Sequence, residues 1–478
     1  MKRPPGPSSP ALWQTAQWMR HPIEFLTDCA ARYGDLFRFQ MAGFGTVVVI
    51  ANPDLIREVF LGSPDVFLGG QSNNMLRPFV GDHSLLVLDG DPHARQRKLL
   101  APAFHGERML AYGQAMLDLA QAAIDRFALS RPFALHPEMQ AITLRVILRT
   151  IFGIGDGTAT SGQTVAEEQA QSEHLFRLLQ TGVELASNPL LIFPILQHEL
   201  FGLSPWGRFK RLVRELDDLL RAEIDRRRQR NEYQGRSDIL SMMMQATDEQ
   251  GHAMSFAELR DELVTMLVAG HETTANALGW TVALLLQHPA LYDELAQDIE
   301  SARDAQGALD PEKLAKLPLL DATIRESLRL RPIAPLVARL LAKPLQLAGY
   351  DIPAGWVVAP AISLVHQRAA TYRDPLRFDP HRFLREKLPN NEWLPFGGGN
   401  RRCIGAAFAT YEMKMVLSAL LSRTRMRLAP GYTPRTIRRG VVLTASEGVP
   451  VIVEERRAAV RLDHSEGIRK RVIATGPC

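Results

Sequence analysis

Apolar residues recur at intervals of three and four positions through most of residues 91–302. This spacing places them on one face of an α-helix and predicts a series of amphipathic helices. Breaks are expected near Pro132, at residues 153–162, near Pro189 and near Pro205, where glycine or proline interrupts the pattern. This part of the chain is therefore predicted to be a helical mass.

Elsewhere, short runs rich in β-branched and aromatic residues predict strands. Residues 36–41 and 46–51 flank a glycine-containing turn and predict a hairpin, after which a helix is expected from Pro53. Further strands are expected within residues 337–347 and 354–359. A smaller β region therefore accompanies the helices.

The last strand pattern, at residues 440–454, predicts a second hairpin with Glu447 and Gly448 in its turn. No long linker or low-complexity stretch divides the 478 residues, so we expect a single domain over residues 1–454. Residues 455–478 form a basic C-terminal extension to which the sequence assigns no role. The expected β-rich lobe comprises residues 36–51, 337–359 and 440–454, and the expected helical lobe comprises residues 91–331 and 404–424.

Composition narrows the class of protein. The net charge is +4, from 56 basic and 52 acidic residues, and the basic residues are spread along the chain. Nucleic-acid-binding proteins concentrate such residues, so no nucleic-acid partner is expected. The three cysteines, Cys29, Cys403 and Cys478, are too few and too scattered for a disulfide framework or a four-cysteine zinc site. A reducing cytoplasm fits this usage.

No transmembrane anchor is expected. Residues 1–25 lack the apolar core of a signal peptide and contain several prolines. The most apolar long stretch, residues 263–286, is interrupted by polar residues that are costly to place in lipid. The stretch is therefore predicted to be a buried helix, and the protein is predicted to be a cytoplasmic monomer.

Ser255 and Glu258 form a capping-box pattern that opens a helix predicted to extend to about Gln287. At 1.5 Å per residue, this helix would be roughly 50 Å long and would cross the whole molecule.

In the middle of this helix, Gly270 costs about 1 kcal/mol relative to alanine. The hydroxyls of Thr273 and Thr274 can bond to carbonyl groups one turn earlier. A local groove beside Glu272 is therefore expected, suited to a small molecule that receives protons. A zinc protease is excluded, because position 275 is alanine where its motif needs a second histidine.

Residues 396–405 contain three consecutive glycines followed by Cys403 and an amphipathic helix. Cys403 is therefore predicted at a helix N-terminus, where free N–H groups, the helix dipole and nearby Arg401 favour a thiolate. The glycines would let a flat, bulky group approach the backbone closely. A haem satisfies that requirement better than a small substrate.

This segment resembles the haem-ligand loop of the cytochrome P450 superfamily, Phe-x-x-Gly-x-Arg-x-Cys-x-Gly, which Phe396, Gly399, Arg401, Cys403 and Gly405 match. The resemblance implies haem b as cofactor, with Cys403 as the axial thiolate ligand of the iron. It further implies that Phe396 shields the sulfur, that Arg401 pairs with a haem propionate and that Gly405 belongs to the cofactor-binding loop. The implied fold is the mainly α cytochrome P450 fold, with a long central helix over the haem and the cysteine loop beneath it.

The central helix also resembles the family, whose Ala/Gly-Gly-x-Asp/Glu-Thr-Thr/Ser pattern lies over the iron. Ala269 and Gly270 are implied to border the cofactor. Glu272 and Thr273 are implied to be the catalytic acid and alcohol that relay protons to iron-bound dioxygen.

The resemblance implies two further sets of residues. His93, Arg97 and Arg339 are implied propionate ligands, since two buried carboxylates call for cations. The final group is a buried structural triad that holds a proline-rich meander under the haem loop, and it comprises Glu326, Arg329 and Arg382.

The function implied by the resemblance is a haem-thiolate monooxygenase, in which the electron-donating thiolate favours O–O cleavage. A peroxide-driven peroxygenase is one alternative, although its branch typically replaces the acid and alcohol pair kept here as Glu272 and Thr273. A haem-based gas sensor or binding protein is another, but no residues are left to build an output domain.

Neither a flavin nor an iron–sulfur module fits the sequence, so electrons are expected from a ferredoxin or flavodoxin with its reductase. Arg95, Lys98 and Arg402 are expected either to form a basic surface for an acidic partner or merely to keep the surface soluble. The segments expected to line the pocket are rich in apolar residues, which indicates an apolar substrate. A fatty acid is the first candidate because residues 69–74 resemble bacterial members that hydroxylate fatty acids; terpenoids, steroids and polyketides are the alternatives.

Overall fold

A computed structural model describes residues 2–104, 107–153, 173–178, 180–182, 204–386, 388–389, 391–440 and 442–458. Helices α1 to α9 are Ala11–Arg20, Pro22–Tyr33, Pro53–Leu61, Gly69–Ser72, Arg77–Val80, Gly90–Leu100, Glu107–Ala111, Gly113–Ile124 and Leu135–Phe152. Helices α10 to α18 are Pro205–Arg230, Ile239–Gln245, Phe256–Leu286, Pro289–Glu300, Pro311–Lys316, Pro318–Leu330, Ile362–His366, Arg382–Arg385 and Ala406–Arg423. The prediction of a mainly helical protein is confirmed.

Short strands make up the smaller β region. Strands β1 to β6 are Leu36–Met41, Gly45–Ile50, Phe67–Leu68, Pro132–Ala134, Arg339–Leu341 and Leu345–Leu347. Strands β7 to β12 are Tyr350–Ile352, Val357–Pro360, Thr424–Leu428, Thr436–Arg439, Val442–Ala445 and Pro450–Arg456.

The central helix α12 begins as the capping-box pattern predicts. The Ser255 hydroxyl accepts a hydrogen bond from the Glu258 backbone N–H, and the Glu258 carboxylate accepts one from the Ser255 N–H. The helix has 31 residues and is roughly 46 Å long. It packs closely against α9 within the large hydrophobic core, which also includes side chains of α8, α15 and α18. Among the described residues, no helix has the length and apolar character needed to cross a membrane.

The largest sheet has the strand order β1, β2, β8, β5, β3. Strands β1 and β2 form the predicted hairpin, and β2 pairs with β8 in parallel. Side chains of β2 alternate between two small cores, with Val48 and Ile50 on one face and Val47 and Val49 on the other. Both faces of this sheet are therefore covered, which explains the nearly continuous apolar sequence of β2.

The predicted hairpin at residues 440–454 is wrong. Strand β11 pairs instead with β10, through a turn at Gly440, whose φ is +59°. Strand β12 pairs with β9 and β4. The reason is local backbone geometry: φ is positive at Glu447, Gly448 and Val449 in succession, which redirects the chain instead of folding it back.

The sheet pairings also show where residues 440–454 lie. Residues 440–454 are not part of the sheet that joins β1, β2 and β8, and β12 continues past residue 454 to Arg456. The Arg456 side chain donates to the carbonyl groups of Ile124, Asp125 and Phe127. The start of the expected extension therefore belongs to the fold, and residues 459–478 lie outside the described part of the chain.

Candidate haem site

The cysteine loop, residues 396–405, is a compact turn that ends just before α18. The Cys403 N–H donates to the Phe396 carbonyl at 2.9 Å, which closes the loop. Two glycines fit it against α3: a Cβ at Gly398 would lie 2.3 Å from the Phe60 ring, and one at Gly399 would lie 2.1 Å from the Phe60 carbonyl oxygen. The glycines therefore serve helix packing, a reason that the sequence alone did not reveal.

The Cys403 side chain is exposed on one side, while the protein packs densely around the rest of it. This burial raises the pKa of the Cys403 thiol, against smaller lowering effects from the Gly405 N–H, Arg97 and Arg402. The prediction of a lowered pKa beside Arg401 is therefore wrong for the protein alone. Coordination to a metal ion deprotonates a thiol outright, and that effect would overcome burial.

Arg401 binds a neighbouring loop at residues 85–89. Its guanidinium donates to the carbonyl groups of Leu85, at 3.0 Å, and Leu88, and pairs with the Asp89 carboxylate at 2.5 Å. Asp89 in turn accepts hydrogen bonds from the Gly70 and Gln71 N–H groups, both at 2.8 Å. Arg401 thus connects the cysteine loop to two other segments, whereas the sequence predicted only a propionate contact.

Three other predicted cofactor ligands lie around Arg401, and we call His93, Arg97, Arg339 and Arg401 the cation cluster. Burial and the charges of Arg401, Arg97 and Arg339 lower the pKa of His93 to about 3. Burial, followed by the charge of Arg401, lowers the pKa of Arg339 to about 10. Burial also lowers the pKa of Arg97, while Cys403 raises it.

Basic groups whose charged forms are destabilised by burial and by one another are stabilised in those charged forms by an anionic partner. Among the described residues, Asp89 is the carboxylate that pairs with this cluster, and it does so through Arg401. Arg97 and Arg339 form no ion pair with Asp89. A haem carries two propionates and an iron that binds thiolate, so the donor set of Cys403 and the cation cluster fits that group.

On the other side of the site, α12 remains continuous through its central motif. Thr273 donates to the Ala269 carbonyl at 2.7 Å and Thr274 to the Gly270 carbonyl at 2.9 Å, as predicted. A Cβ at Gly270 would lie 2.5 Å from the side chain of Ile147, so this glycine allows α9 to approach. The predicted groove at Gly270 is thus occupied by a neighbouring helix.

Glu272 faces α9. Its carboxylate accepts hydrogen bonds from Gln140 and, at 3.3 Å, from Asn276, and it lies 3.9 Å from His136 Nε2. His136 and Gln140 were not predicted from the sequence, because they are more than 130 positions from Glu272 in the chain and match no motif.

The structure brings the three predicted triad residues together. Arg329 pairs with Glu326 through two hydrogen bonds of 2.7 and 2.9 Å, and Arg382 pairs with Glu326 at 3.0 Å. Arg329 also donates to the carbonyl groups of His366 and Pro375, so α15 is tied to the meander.

Sequence reasoning missed His366, which completes this network. Its Nδ1 donates to the Arg329 carbonyl at 3.0 Å, and its Nε2 accepts from the Leu394 N–H at 2.8 Å. Complete burial, followed by the charge of Arg329, lowers the pKa of His366 to about 3. The neutral ring therefore suits both bonds.

The predicted basic docking surface is largely neutralised. Arg95 pairs with Asp248 at 2.7 Å and with Glu258 at 2.5 Å. Lys98 pairs with Glu249 at 2.5 Å. Arg402 is exposed and forms no ion pair with the described residues.

Comparisons with known proteins point to one family. The family model described as Cytochrome P450 matches residues 4–452. A Mycobacterium tuberculosis protein described as "Putative cytochrome P450 135B1" is 39% identical over 457 residues, covering 96% of this chain and 92% of the relative. A Mycobacterium bovis protein described as "Putative cytochrome P450 138" is 34% identical, covering 95% and 97%. The solved structure titled "Retinoic acid bound cyanobacterial CYP120A1" has a TM-score of 0.80 at 24% identity, covering 95% of this chain and 99% of that one.

Proposed function

The chain belongs to the cytochrome P450 family of haem b monooxygenases, and from that premise we propose that it hydroxylates an apolar substrate, with a fatty acid as the first candidate. The observation that carries the haem-thiolate assignment is the buried cation cluster beside Cys403. An apolar substrate is supported by Val268, which is 38% exposed in the middle of an otherwise largely buried helix, next to half-buried Ala269.

In this proposal Cys403 holds the haem iron, and His93, Arg97 and Arg339 hold the propionates. The bound haem supplies the redox chemistry that activates dioxygen. Phe396, the first residue of the loop, is proposed to shield the sulfur from water. Its ring centroid lies 6.0 Å from that of Trp393 in an edge-on arrangement.

Glu272 and Thr273 are proposed to manage protons. The Thr273 hydroxyl gives its own proton to the Ala269 carbonyl, which leaves its oxygen free to accept a hydrogen bond from a water molecule. Glu272, held by Gln140 and Asn276, can take up and release a proton at its carboxylate. The two side chains therefore have separate roles, one orienting water and the other supplying protons.

Binding spectra test the substrate proposal. Fatty acids of increasing chain length should displace iron-bound water and shift the haem spin state, with affinity rising as more CH₂ groups are buried. Terpenoids and steroids of equal apolar area serve as the comparison. A shift with steroids and none with any fatty acid would reject the fatty acid as substrate.

Product analysis tests the proton roles. Thr273→Ala should leave the fold and haem content intact while more of the consumed reductant appears as hydrogen peroxide instead of product. Glu272→Gln should slow oxygen consumption itself, because it removes the titratable group. If Thr273→Ala produces no more peroxide than the unchanged protein, this hydroxyl does not orient the water.

Electrons are proposed to come from a ferredoxin or flavodoxin with its reductase, and the enzyme is proposed to act as a cytoplasmic monomer. Cys29 and Cys403 are both free thiols in the described part of the chain, which supports a reducing compartment. Reconstitution with purified ferredoxin or flavodoxin, each with its reductase, would identify the electron donor, and light scattering would give the oligomeric state.

A further inference from the structure

A cluster of buried polar side chains lies beside Glu272, between α9 and α12. His136 and Asn276 are almost completely buried, at 4% and 1% exposure. Within the described residues, His136 Nε2 and Asn276 Oδ1 are buried atoms without a hydrogen-bond partner. Buried polar atoms of this kind are normally satisfied, and an unpaired pair beside a carboxylate indicates a bound molecule.

The distances indicate the size of that molecule. His136 Nε2 lies 3.9 Å from Glu272 Oε1, which is too long for a direct hydrogen bond and suits a bridge through one water. Asn276 Nδ2 donates to the same Oε1 at 3.3 Å. The Asn276 amide oxygen lies near enough to the His136 ring to favour its protonated form and raise its pKa, but the two groups are outside hydrogen-bond geometry. Three polar groups therefore lie close together, which is the number that a buried water typically binds.

The donor and acceptor atoms of the three side chains determine how one water molecule would be oriented between them. Glu272 Oε1 and Asn276 Oδ1 are both acceptors, so they would take the two protons of the water. His136 must then donate its Nε2–H to the water oxygen. A neutral ring serves this purpose, and burial lowers the pKa of His136 against the opposing effect of Glu272.

We propose that His136 is a positioning residue for Glu272, and that His136 and Asn276 hold one buried water against the Glu272 carboxylate. The proposal rests on the proposed function, in which Glu272 handles protons. The held water keeps Oε1 hydrated inside the protein, while Gln140 fixes the other carboxylate oxygen, Oε2. Glu272 therefore keeps one orientation throughout the reaction.

Spectroscopy of the histidine ring provides a test that does not depend on turnover. The protein is labelled with ¹⁵N-histidine and examined as the diamagnetic ferrous carbon monoxide complex, with His136→Gln used to assign the signal. The Nε2–H tautomer is expected at neutral pH. The Nδ1–H tautomer would overturn the proposal, because the ring could not then donate to the water.

The same signal should respond to Glu272. The charged or titratable groups that act on His136 are Glu272 and His271 from α12 and Arg439 from β10. Glu272→Gln removes the group that favours the protonated ring, so His136 should become protonated only at a lower pH. An unchanged titration would show that the two side chains are not coupled.

Turnover measurements then distinguish a positioning role of His136 from a role in packing alone. His136→Phe removes the donor that holds the water against Glu272, so oxygen consumption should slow roughly fivefold, the equivalent of one hydrogen bond. His136→Gln keeps an N–H donor and should restore much of the rate. His271→Phe is the matched control: this ring is also buried, at 2% exposure, but its Nδ1 donates to the Leu267 carbonyl at 2.6 Å. The control should lower stability without slowing oxygen consumption.

Failure of the two proposals can be distinguished. If Glu272→Gln leaves oxygen consumption unchanged, the proton role of Glu272 is rejected, whatever the histidine spectra show. If Glu272→Gln slows oxygen consumption but His136→Phe does not, the proposed function stands and the positioning role of His136 is rejected.

Discussion

The triad and the cation cluster are both rich in buried arginine, yet they differ in how their charges are balanced. Glu326 and Arg329 have no exposed side-chain surface, and Arg382 has 8%. Their guanidinium groups find a carboxylate and several backbone carbonyls within the protein. In the cation cluster, neighbouring positive charges instead help to lower the pKa values of His93 and Arg339. A balanced cluster supports the fold, whereas an unbalanced one indicates a ligand.

The largest expected effect is in the triad. Arg329→Ala leaves Glu326 buried beside a single cation, which should cost about 3–5 kcal/mol and prevent recovery of folded haem protein. Arg325→Ala on the same helix is the control, since Arg325 stacks on the Phe383 and Trp393 rings at 4.4 and 4.9 Å and should cost about 1 kcal/mol. Haem content and the midpoint of urea unfolding measure both. Normal haem content in Arg329→Ala would remove the distinction between the two clusters.

The cation cluster should respond differently to the same kind of change. Arg339→Leu removes a charge that neighbouring cations disfavour, so the protein should fold and incorporate haem. Loss of one charge-assisted contact to a propionate should accelerate haem release roughly tenfold or more. Transfer of haem to an acceptor protein measures this rate. An unchanged rate would mean that Arg339 does not hold the cofactor.

Lowering the pH should destabilise both the cation cluster and the network around the triad, through one histidine in each. Burial lowers the pKa of both His93 and His366 to about 3, against about 6.5 in the unfolded chain. Between these values the unfolded state binds more protons, so stability is full above pH 6.5 and decreases as the pH falls toward 3. Each histidine should contribute up to about 1.4 kcal/mol per pH unit.

Urea unfolding at pH 7.5, 6.5, 5.5 and 4.5 gives the slope. His93→Gln should reduce the slope below pH 6.5 without affecting the network at His366. A slope unchanged by His93→Gln would show that His93 does not titrate on unfolding.

The smallest effect is expected at the surface, where a basic residue that is already paired should matter less than one that is not. Arg402→Glu should slow reduction by an acidic ferredoxin several-fold, mainly through the association rate, and added salt should weaken the unchanged protein similarly. Lys98→Glu should have less effect, because Lys98 is already paired with Glu249. Stopped-flow measurements at two ionic strengths give the reduction rates. Equal rates in both variants and the unchanged protein would contradict this docking site.

Local patterns predicted the local structure well. The Ser255 and Glu258 cap, the first hairpin and the back-bonded threonines all depend on residues within a few positions of one another, and all are confirmed. The cysteine loop was recognisable for the same reason, because all the residues of its motif lie within residues 396–405.

Partners that are distant in sequence could not be predicted. Asp89 meets Arg401 across 312 positions, and Lys98 meets Glu249 across 151. Neither acidic residue stands in a motif, so only tertiary packing reveals that it neutralises a cation. The partners of β12 were missed for the same reason, because several strands offer similar apolar patterns.

The contact between Phe60 and the cysteine loop limits how the sequence can vary. At Gly398 the obstacle is the Phe60 ring, so a smaller side chain at position 60 could make room for alanine. At Gly399 the obstacle is the Phe60 carbonyl oxygen, which every residue carries, and φ is +65°. Among related sequences, position 398 should therefore covary with position 60, whereas position 399 should remain glycine regardless of its neighbour.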